Sequence, residues 1–347
     1  MFNKIRIRIE RELGAFVRDI DAEYRLSSIS GLLYKGIRDF VLRSGKRIRP
    51  VLFVVGYLGF SCRERPGLYR SAVALELLHD FLLVHDDIID KSDTRRGKPS
   101  MHVLFQRALG KNDPRLKFSG EDLAIVAGDV LYALAIHAFL SIDEDPRRKE
   151  QALKKFILSA MHTGGGEFIE LLYSRKDFDQ LDKKDIYKVY DLKTASYSFA
   201  SPLATGAILA GASPQQQEAV FRYGVSLGRA FQIKDDVISL FDEEKETGKP
   251  ALCDLQEGKK TLLVWHAYRH SPAAVKKEIE GILTKKKVTR QDLLTMRRIL
   301  IRSGALDYAR AQIQALIRQA EGHLASSGIK KPYRLLLDGW SKKLLAS

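Results

Sequence analysis

Three aspartates end a long apolar segment and are spaced so that they could hold a metal ion. The segment SAVALELLHDFLLVHDDIID is almost wholly apolar until it reaches Asp86, Asp87 and Asp90. In a helix, Asp86 and Asp90 share a face because they are four residues apart, and His79 lies about 20° from Asp86. Crowded carboxylates repel one another unless a cation offsets their charge, and oxygen ligands suit a hard ion such as Mg²⁺. A helix end followed by a solvated acidic turn is the open alternative.

A second acidic pair stands about 150 residues further along the chain. Asp235 and Asp236 again follow an apolar helical run, in the segment GRAFQIKDDVISLFD. Two helices of this kind could face each other across a cavity and hold metal ions that bridge a diphosphate. Because the same arrangement occurs twice, chance explains the two acidic pairs less well than it would explain either pair alone.

Cationic side chains flank the first acidic motif on both sides. Arg95 and Arg96 follow it, and Lys46, Arg47 and Arg49 precede it, just before a proline that predicts a helix start. Guanidinium groups match the geometry of phosphate oxygens, and a helix start adds backbone amides, so the two clusters predict anion binding. Either cluster taken alone is more often a solvated surface.

Further lysines follow in the second half of the chain, and a run of glycines precedes them. Lys193 stands before Thr194 in YDLKTASYS, and Lys249 and Lys259 lie in ETGKPALCD and EGKKTLL. The glycines at 164–166 predict either a plain helix break or a place where backbone or substrate must approach closely.

The elements that must position these residues are helices. Apolar residues recur at three- and four-residue spacing, which predicts long helices over 123–141, 149–162 and 185–212. Alternating β-branched runs bounded by tight hairpin signals are missing from the sequence. An all-α fold is therefore predicted, as a single domain spanning 1–347.

The composition narrows the class of protein without choosing a substrate. A formal charge of +15 suits nucleic acid, an anionic membrane surface or small polyanions such as diphosphates. No basic block interleaved with aromatic residues appears, so nucleic acid is not predicted as a partner.

Two cysteines are too few for a disulfide framework, which favours the cytoplasm. The longest apolar stretch, 124–142, contains Asp129 and His137 and is predicted to be a buried helix, so no transmembrane segment is expected.

Taken in order, several short segments resemble the trans-isoprenyl diphosphate synthase family. They are SGKRIRP, ELLHDFLLVHDDIID, RRGKPSMH, AGD, DLKTAS, FQIKDDVI and GKPALCDLQEGKKTLL, and they cover roughly residues 45–263. The resemblance implies a bundle of antiparallel helices around a deep central pocket, usually as a homodimer. It also implies a reaction in which isopentenyl diphosphate attacks the carbocation left when an allylic diphosphate ionises.

The resemblance further implies a role for each matching residue. Isopentenyl diphosphate would be held by Lys46, Arg49, His79 and Arg96. The allylic diphosphate would be held by Arg95, Lys193, Thr194, Gln232, Lys249 and Lys259. Magnesium would be bound by Asp86, Asp90 and Asp235, which with Arg95 and Lys193 would form the catalytic set.

Three positions depart from the family pattern. Ser239 stands where the second acidic motif often has its final aspartate, Ser44 replaces a common glycine, and Glu167 replaces a usual glutamine. Ser239 removes one potential metal ligand, but Asp235 and Asp236 remain. Catalysis therefore stays the predicted function.

The residues just before the first acidic motif bear on product length. In related enzymes, bulky side chains there close the floor of the pocket, and this chain has Phe81 and Leu82 five and four residues before Asp86. The pattern resembles the geranylgeranyl diphosphate synthases, with farnesyl diphosphate as the alternative product. An ordinary core phenylalanine is the plain interpretation of Phe81.

Two rival functions use similar residues. Terpene cyclases and squalene or phytoene synthases also place acidic helices around a metal-bound diphosphate, but they need no isopentenyl site. A non-catalytic subunit of a heteromeric synthase would tolerate a weakened acidic motif, and Ser239 is the feature that supports it.

Overall fold

The computed structural model describes residues 1–110, 116–241 and 253–346. The predicted all-α fold is confirmed, since most of the described residues are helical and the described strands are only two residues long. The helices are α1 Phe2–Tyr24, α2 Leu26–Ile29, α3 Gly31–Val41, α4 Ile48–Phe60, α5 Leu68–Ile89, α6 Met101–Leu109, α7 Gly120–Phe139, α8 Pro146–Ser174, α9 Lys183–Tyr190, α10 Ser201–Leu209, α11 Pro214–Phe241, α12 Cys253–Gln256, α13 Leu262–Arg269, α14 Ala273–Leu283, α15 Arg290–Arg302, α16 Ala305–Ser326 and α17 Lys331–Ala346. A 3₁₀ turn at Phe178–Gln180, a π-helix at Asp191–Ala200 and the strands β1 Thr94–Arg95 and β2 Lys98–Pro99 complete the described elements.

The helices pack in two compact units, and the single-domain organisation stays a prediction. The first unit comprises Met1–Leu153 with Thr205–Gly211, and its central helix α5 packs against α1, α4 and α7. In α1, Ile5, Ile9 and Leu13 are buried at four-residue spacing, so this helix is amphipathic. Because α5 is buried on most sides, its packing fixes the position of the polar residues at its C-terminal end.

One described helix, α7, is long and apolar enough to cross a membrane by length and composition alone. Within the first unit it packs along α5 and α6, and Ala127, Leu131 and Ala135 are buried there. The most apolar window of α7 is 39% buried. Ile125 and Val126 remain 41% and 57% exposed on its outer face.

A short hairpin follows α5 and was not predicted from the sequence. Strands β1 and β2 pair in antiparallel fashion, and the two residues between them, Arg96 and Gly97, both have positive φ angles, of 55° and 72°. This conformation suits a tight two-residue hairpin turn. Because the strands are two residues long, they carry no alternating pattern that could predict them.

The second unit comprises Lys154–Ala204 with Ala212–Ser347. Helix α11 is at its centre and packs against α16 and against the π-helix. Two glycines of α11 make this approach close, since a Cβ on Gly224 or Gly228 would meet the backbone of Ala200 or Ala195 within 2.5 Å. The π-helix holds Lys193 and Thr194 beside α11, and such segments often occur at functional sites.

The glycine run does not break its helix. Helix α8 continues through residues 164–166, so the interpretation of the run as a helix break is wrong. The alternative, a close approach, holds at Gly166, where a Cβ would lie 2.8 Å from the backbone nitrogen of Lys193. Gly166 therefore lets α8 contact the π-helix.

Candidate functional site

The C-terminal end of α5 carries the first acidic motif. Asp87 is fully buried and accepts a hydrogen bond from Nε of Arg95 at 2.7 Å. Asp86 is partly exposed, and its Oδ2 lies 3.2 Å from Nη2 of Arg95. Asp90, which caps the helix, is also partly exposed. The carbonyl end of a helix disfavours anions, so the two outward carboxylates sit where a cation would stabilise them.

A buried ion-pair network lies further back along α5. Arg47 is fully buried and contacts Glu76 at 2.5 Å and Glu10 at 2.8 Å. Arg96 reaches in from the hairpin turn, with its Nη2 3.1 Å from Glu76 and 3.4 Å from Asp80. Arg47 thus forms buried ion pairs that link α1 to α5, although the cluster to which it belongs was predicted to bind an anion.

The remaining residues predicted to hold isopentenyl diphosphate lie around this network. Lys46 is exposed, whereas Arg49 and His79 are half-buried. Burial lowers the pKa of His79 well below its usual range, and the charges of Arg49 and Arg96 lower it further. His79 is therefore a neutral hydrogen-bonding group among cations at neutral pH.

In the second unit, Lys193 is held between two carboxylates. Its Nζ lies 2.6 Å from Glu167 and 2.5 Å from Glu170, both on α8. A diphosphate that binds Lys193 must therefore compete with two carboxylates unless a cation neutralises them.

The second acidic motif divides its carboxylates between two roles. Asp236 is buried and accepts hydrogen bonds from the hydroxyl of Tyr190 and from Nε2 of Gln232, the latter at 2.9 Å. Thr194 donates to Gln232 at 2.7 Å, so this polar chain links the π-helix to α11. Asp235 is exposed and so remains accessible to a ligand.

Other predicted site residues are less informative. Lys259 is paired with Glu257 at 2.5 Å, and Lys249 lies outside the described residues. The two residues predicted to limit product length lie on α5, where Leu82 is half-buried.

The ring of Phe81 packs against that of Tyr132 on α7 at 5.1 Å between centroids. At the departure from the family pattern, Ser239 donates a hydrogen bond to a backbone carbonyl of α11.

Sequence reasoning missed several polar residues of the site. Glu76 and Asp80 lie four residues apart inside the apolar run of α5, a pattern that could have signalled a buried acidic pair. Glu170 and Tyr190 gave no such signal, because their roles depend on contacts between α8, the π-helix and α11.

These features define an all-α protein whose acidic and cationic clusters suit a metal-bound polyanion. The family model for polyprenyl synthetase matches residues 31–300, so the chain belongs to that family. The resemblance drawn from the motifs is confirmed, and with it the enzyme class, a prenyltransferase.

Named relatives match over most of the chain. A short chain isoprenyl diphosphate synthase from Methanocaldococcus jannaschii is 32% identical, over 87% of this chain and 83% of its own. A geranylfarnesyl diphosphate synthase from Aeropyrum pernix is 33% identical, over 85% of this chain and 89% of its own. The crystal structure of geranylgeranyl pyrophosphate synthase from Corynebacterium glutamicum, complexed with isoprenyl diphosphate and magnesium, has a TM-score of 0.89 with 27% identity, covering 99% of each chain.

Proposed function

We propose that this protein is a trans-prenyl diphosphate synthase that joins isopentenyl diphosphate to an allylic diphosphate and makes geranylgeranyl diphosphate. The observation that carries the proposal is the repeated division of the acidic motifs. In each motif one carboxylate is buried, Asp87 with a bond to Arg95 and Asp236 with a bond to Tyr190. The other carboxylate is more accessible, since Asp86, which also contacts Arg95, is partly exposed and Asp235 is exposed. Such a division fixes the helix end and leaves oxygen ligands for a metal-bound substrate.

The outward residues fit a magnesium site. Asp86 and Asp90 offer oxygen donors on one face of α5, and Asp235 offers another on α11. We propose that all three bind Mg²⁺, which when bound stabilises the negative charge of the departing diphosphate. Hard oxygen donors suit magnesium better than a thiophilic metal.

The cations of the chain would hold the two diphosphates. Arg95 is fixed by Asp87 beside the outward carboxylates, and Lys193 is positioned by α8, so both are placed to bind the allylic diphosphate. The exposed Lys46 and the partly exposed Arg96 would bind isopentenyl diphosphate. Fixed cations need no reorganisation as charge develops, which favours ionisation.

The proposal is tested by incubating the purified protein with radiolabelled isopentenyl diphosphate and each allylic primer in turn. Chromatography of the dephosphorylated products should show a labelled twenty-carbon alcohol. Product formed from the allylic primer without isopentenyl diphosphate would favour a cyclase. Activity that appears only after a second subunit is added would favour the non-catalytic role.

Product length depends on Phe81 in this proposal. Because its ring packs between His85 and Tyr132, at 4.8 Å and 5.1 Å, it adds bulk where α5 and α7 meet. Phe81→Ala should shift the main product to a longer chain, such as geranylfarnesyl diphosphate, which chromatography would show. An unchanged product distribution would indicate a core role for Phe81, and a shift seen only with Leu82→Ala would assign the floor to that neighbour.

We also propose that the protein is a homodimer in the cytoplasm. The outer face of α7 exposes Ile125 and Val126, which are adjacent, and burial of their apolar surface between two copies of the chain would be favourable. Only two cysteines occur, and Cys62 is an exposed free thiol, which suits a reducing compartment.

The interface is tested by Val126→Glu, which places a charge on the outer face of α7. We expect light scattering after size exclusion to give the mass of a dimer for the wild type and of a monomer for the variant. Glu121→Gln, at an exposed position on the same helix, is the control and should leave the dimer intact. A wild-type monomer, or a dimer in both proteins, would contradict this interface.

A further inference from the structure

A carboxyl group with one long ion pair and no hydrogen bond to a described residue is buried inside the first unit. Asp80 lies one helical turn after Glu76 on α5, and its side chain is fully buried. Its ion pair with Arg96 spans 3.4 Å, and neither of its oxygens makes a hydrogen bond to any residue that the structure describes. Glu76 takes the stronger contacts, with Arg47 at 2.5 Å and with the same nitrogen of Arg96 at 3.1 Å.

The surrounding charges determine which of the two carboxyl groups keeps a proton. The charges that act on Asp80 are Glu76 on the same helix, Arg96 in the hairpin turn, and Arg47 and Arg49 at the start of α4. Burial, and then the charge of Glu76, raises the pKa of Asp80 well above its ordinary value, and the arginines offset this only in part. Burial also acts on Glu76, but the adjacent arginines lower its pKa below the ordinary value. Of the two carboxyl groups, Asp80 is therefore the one that holds a proton more readily, and Glu76 is the one that ionises first.

Arg96 has little freedom to avoid this pair. It occupies the left-handed turn of the hairpin with a φ of 55°, and its side chain is only 17% exposed. Its guanidinium is thus held beside both carboxyl groups. If Glu76 and Asp80 were both ionised, two negative charges would lie beside the guanidinium of Arg96. The attraction of Arg96 for an anionic ligand would then fall.

We propose that Asp80 is a positioning residue, which in its neutral form flanks Arg96 without neutralising it and so keeps Arg96 attractive to the diphosphate of isopentenyl diphosphate. The inference rests on the proposed function, in which Arg96 binds that substrate. A buried carboxyl group without hydrogen bonds destabilises a fold, so its presence here points to a role other than stability. Loss of the proton at alkaline pH should weaken substrate binding more than turnover.

The kinetic test compares the wild type with Asp80→Asn, a neutral group of similar shape, with the allylic substrate saturating. As the assay pH is raised from about 6 to about 9.5, the wild-type KM for isopentenyl diphosphate should rise roughly tenfold, with a smaller change in kcat. Asp80→Asn, and Asp80→Thr as a second neutral variant, should lack that rise. Asp93→Asn, at an exposed position, should follow the wild type. A rise that persists in both neutral variants would overturn the proposal.

Thermal unfolding gives a second readout that needs no turnover. The folded protein holds the proton of Asp80 to higher pH than the unfolded chain, so wild-type stability should fall as pH rises through that interval. Asparagine has no proton to lose in this pH interval, so the stability of Asp80→Asn should not fall for that reason. The Tm of Asp80→Asn relative to the wild type should therefore increase with pH. A Tm difference between Asp80→Asn and the wild type that does not change with pH would mean that Asp80 is already ionised, against the proposal.

The failure of the proposed function and the failure of this inference give different results. If the proposed function fails, the wild type makes no product from isopentenyl diphosphate. If only this inference fails, the wild type makes product and the variants keep its pH profile.

Discussion

Replacement of Asp86 by alanine should abolish turnover while the helical fold stays intact. Asp86 is a partly exposed carboxylate at the end of α5, and Arg95 keeps its stronger contact with Asp87 when Asp86 is removed. Because the variant loses a ligand for the ion that stabilises the leaving diphosphate, kcat should fall by about a thousandfold or more. Steady-state assays with isopentenyl diphosphate and an allylic primer measure the loss.

The matched control is Asp93→Ala, an exposed aspartate close to Asp86 in sequence. It should keep the wild-type rate, and both variants should keep the wild-type circular dichroism and a Tm close to that of the wild type. Wild-type rates in Asp86→Ala would contradict the metal assignment. A large loss of helicity would mean that the carboxylate serves the fold instead.

The second acidic motif offers a sharper contrast because its two carboxylates differ in surroundings. Asp235→Asn should lower kcat at least about a hundredfold, as for the loss of one charge-stabilising group, and should raise the Mg²⁺ concentration needed for half-maximal activity. Its Tm should change little, because Asp235 is exposed. Metal titrations of the rate would check this.

Asp236→Asn is expected to act mainly on stability. Asp236 accepts hydrogen bonds from Tyr190 and Gln232 in a buried place, and the loss of its charge should reduce the free energy of unfolding by about 1–3 kcal/mol. Denaturant unfolding measures this difference. If Asp235→Asn were the destabilised variant and Asp236→Asn the metal-deficient one, the assignment within the motif would be reversed.

The sequence predicted the helices and the residues whose roles depend on local spacing. Asp86 and Asp90 are four residues apart, and helical geometry alone places them on one face. The apolar segment before Asp86 was likewise treated as a helix, and the structure has α5 there. The family followed from the order of short motifs, each of which is weak alone.

Features that depend on contacts distant in sequence could not be predicted. The choice between a helix break and a close approach at residues 164–166 required the position of Lys193 against Gly166. The burial of Arg47 required Glu76 and Glu10, which belong to different helices. Spacing within a motif shows which residues share a helix face, whereas burial and ion pairing depend on the neighbouring helices.

The most direct test of the account is a crystal structure with Mn²⁺ in place of Mg²⁺ and an unreactive allylic thiodiphosphate. The account predicts anomalous density for metal ions about 2.2 Å from carboxylate oxygens of both Asp86 and Asp235, with one diphosphate bridging them. A diphosphate bound far from either carboxylate, or metal ions on only one of the two motifs, would contradict it.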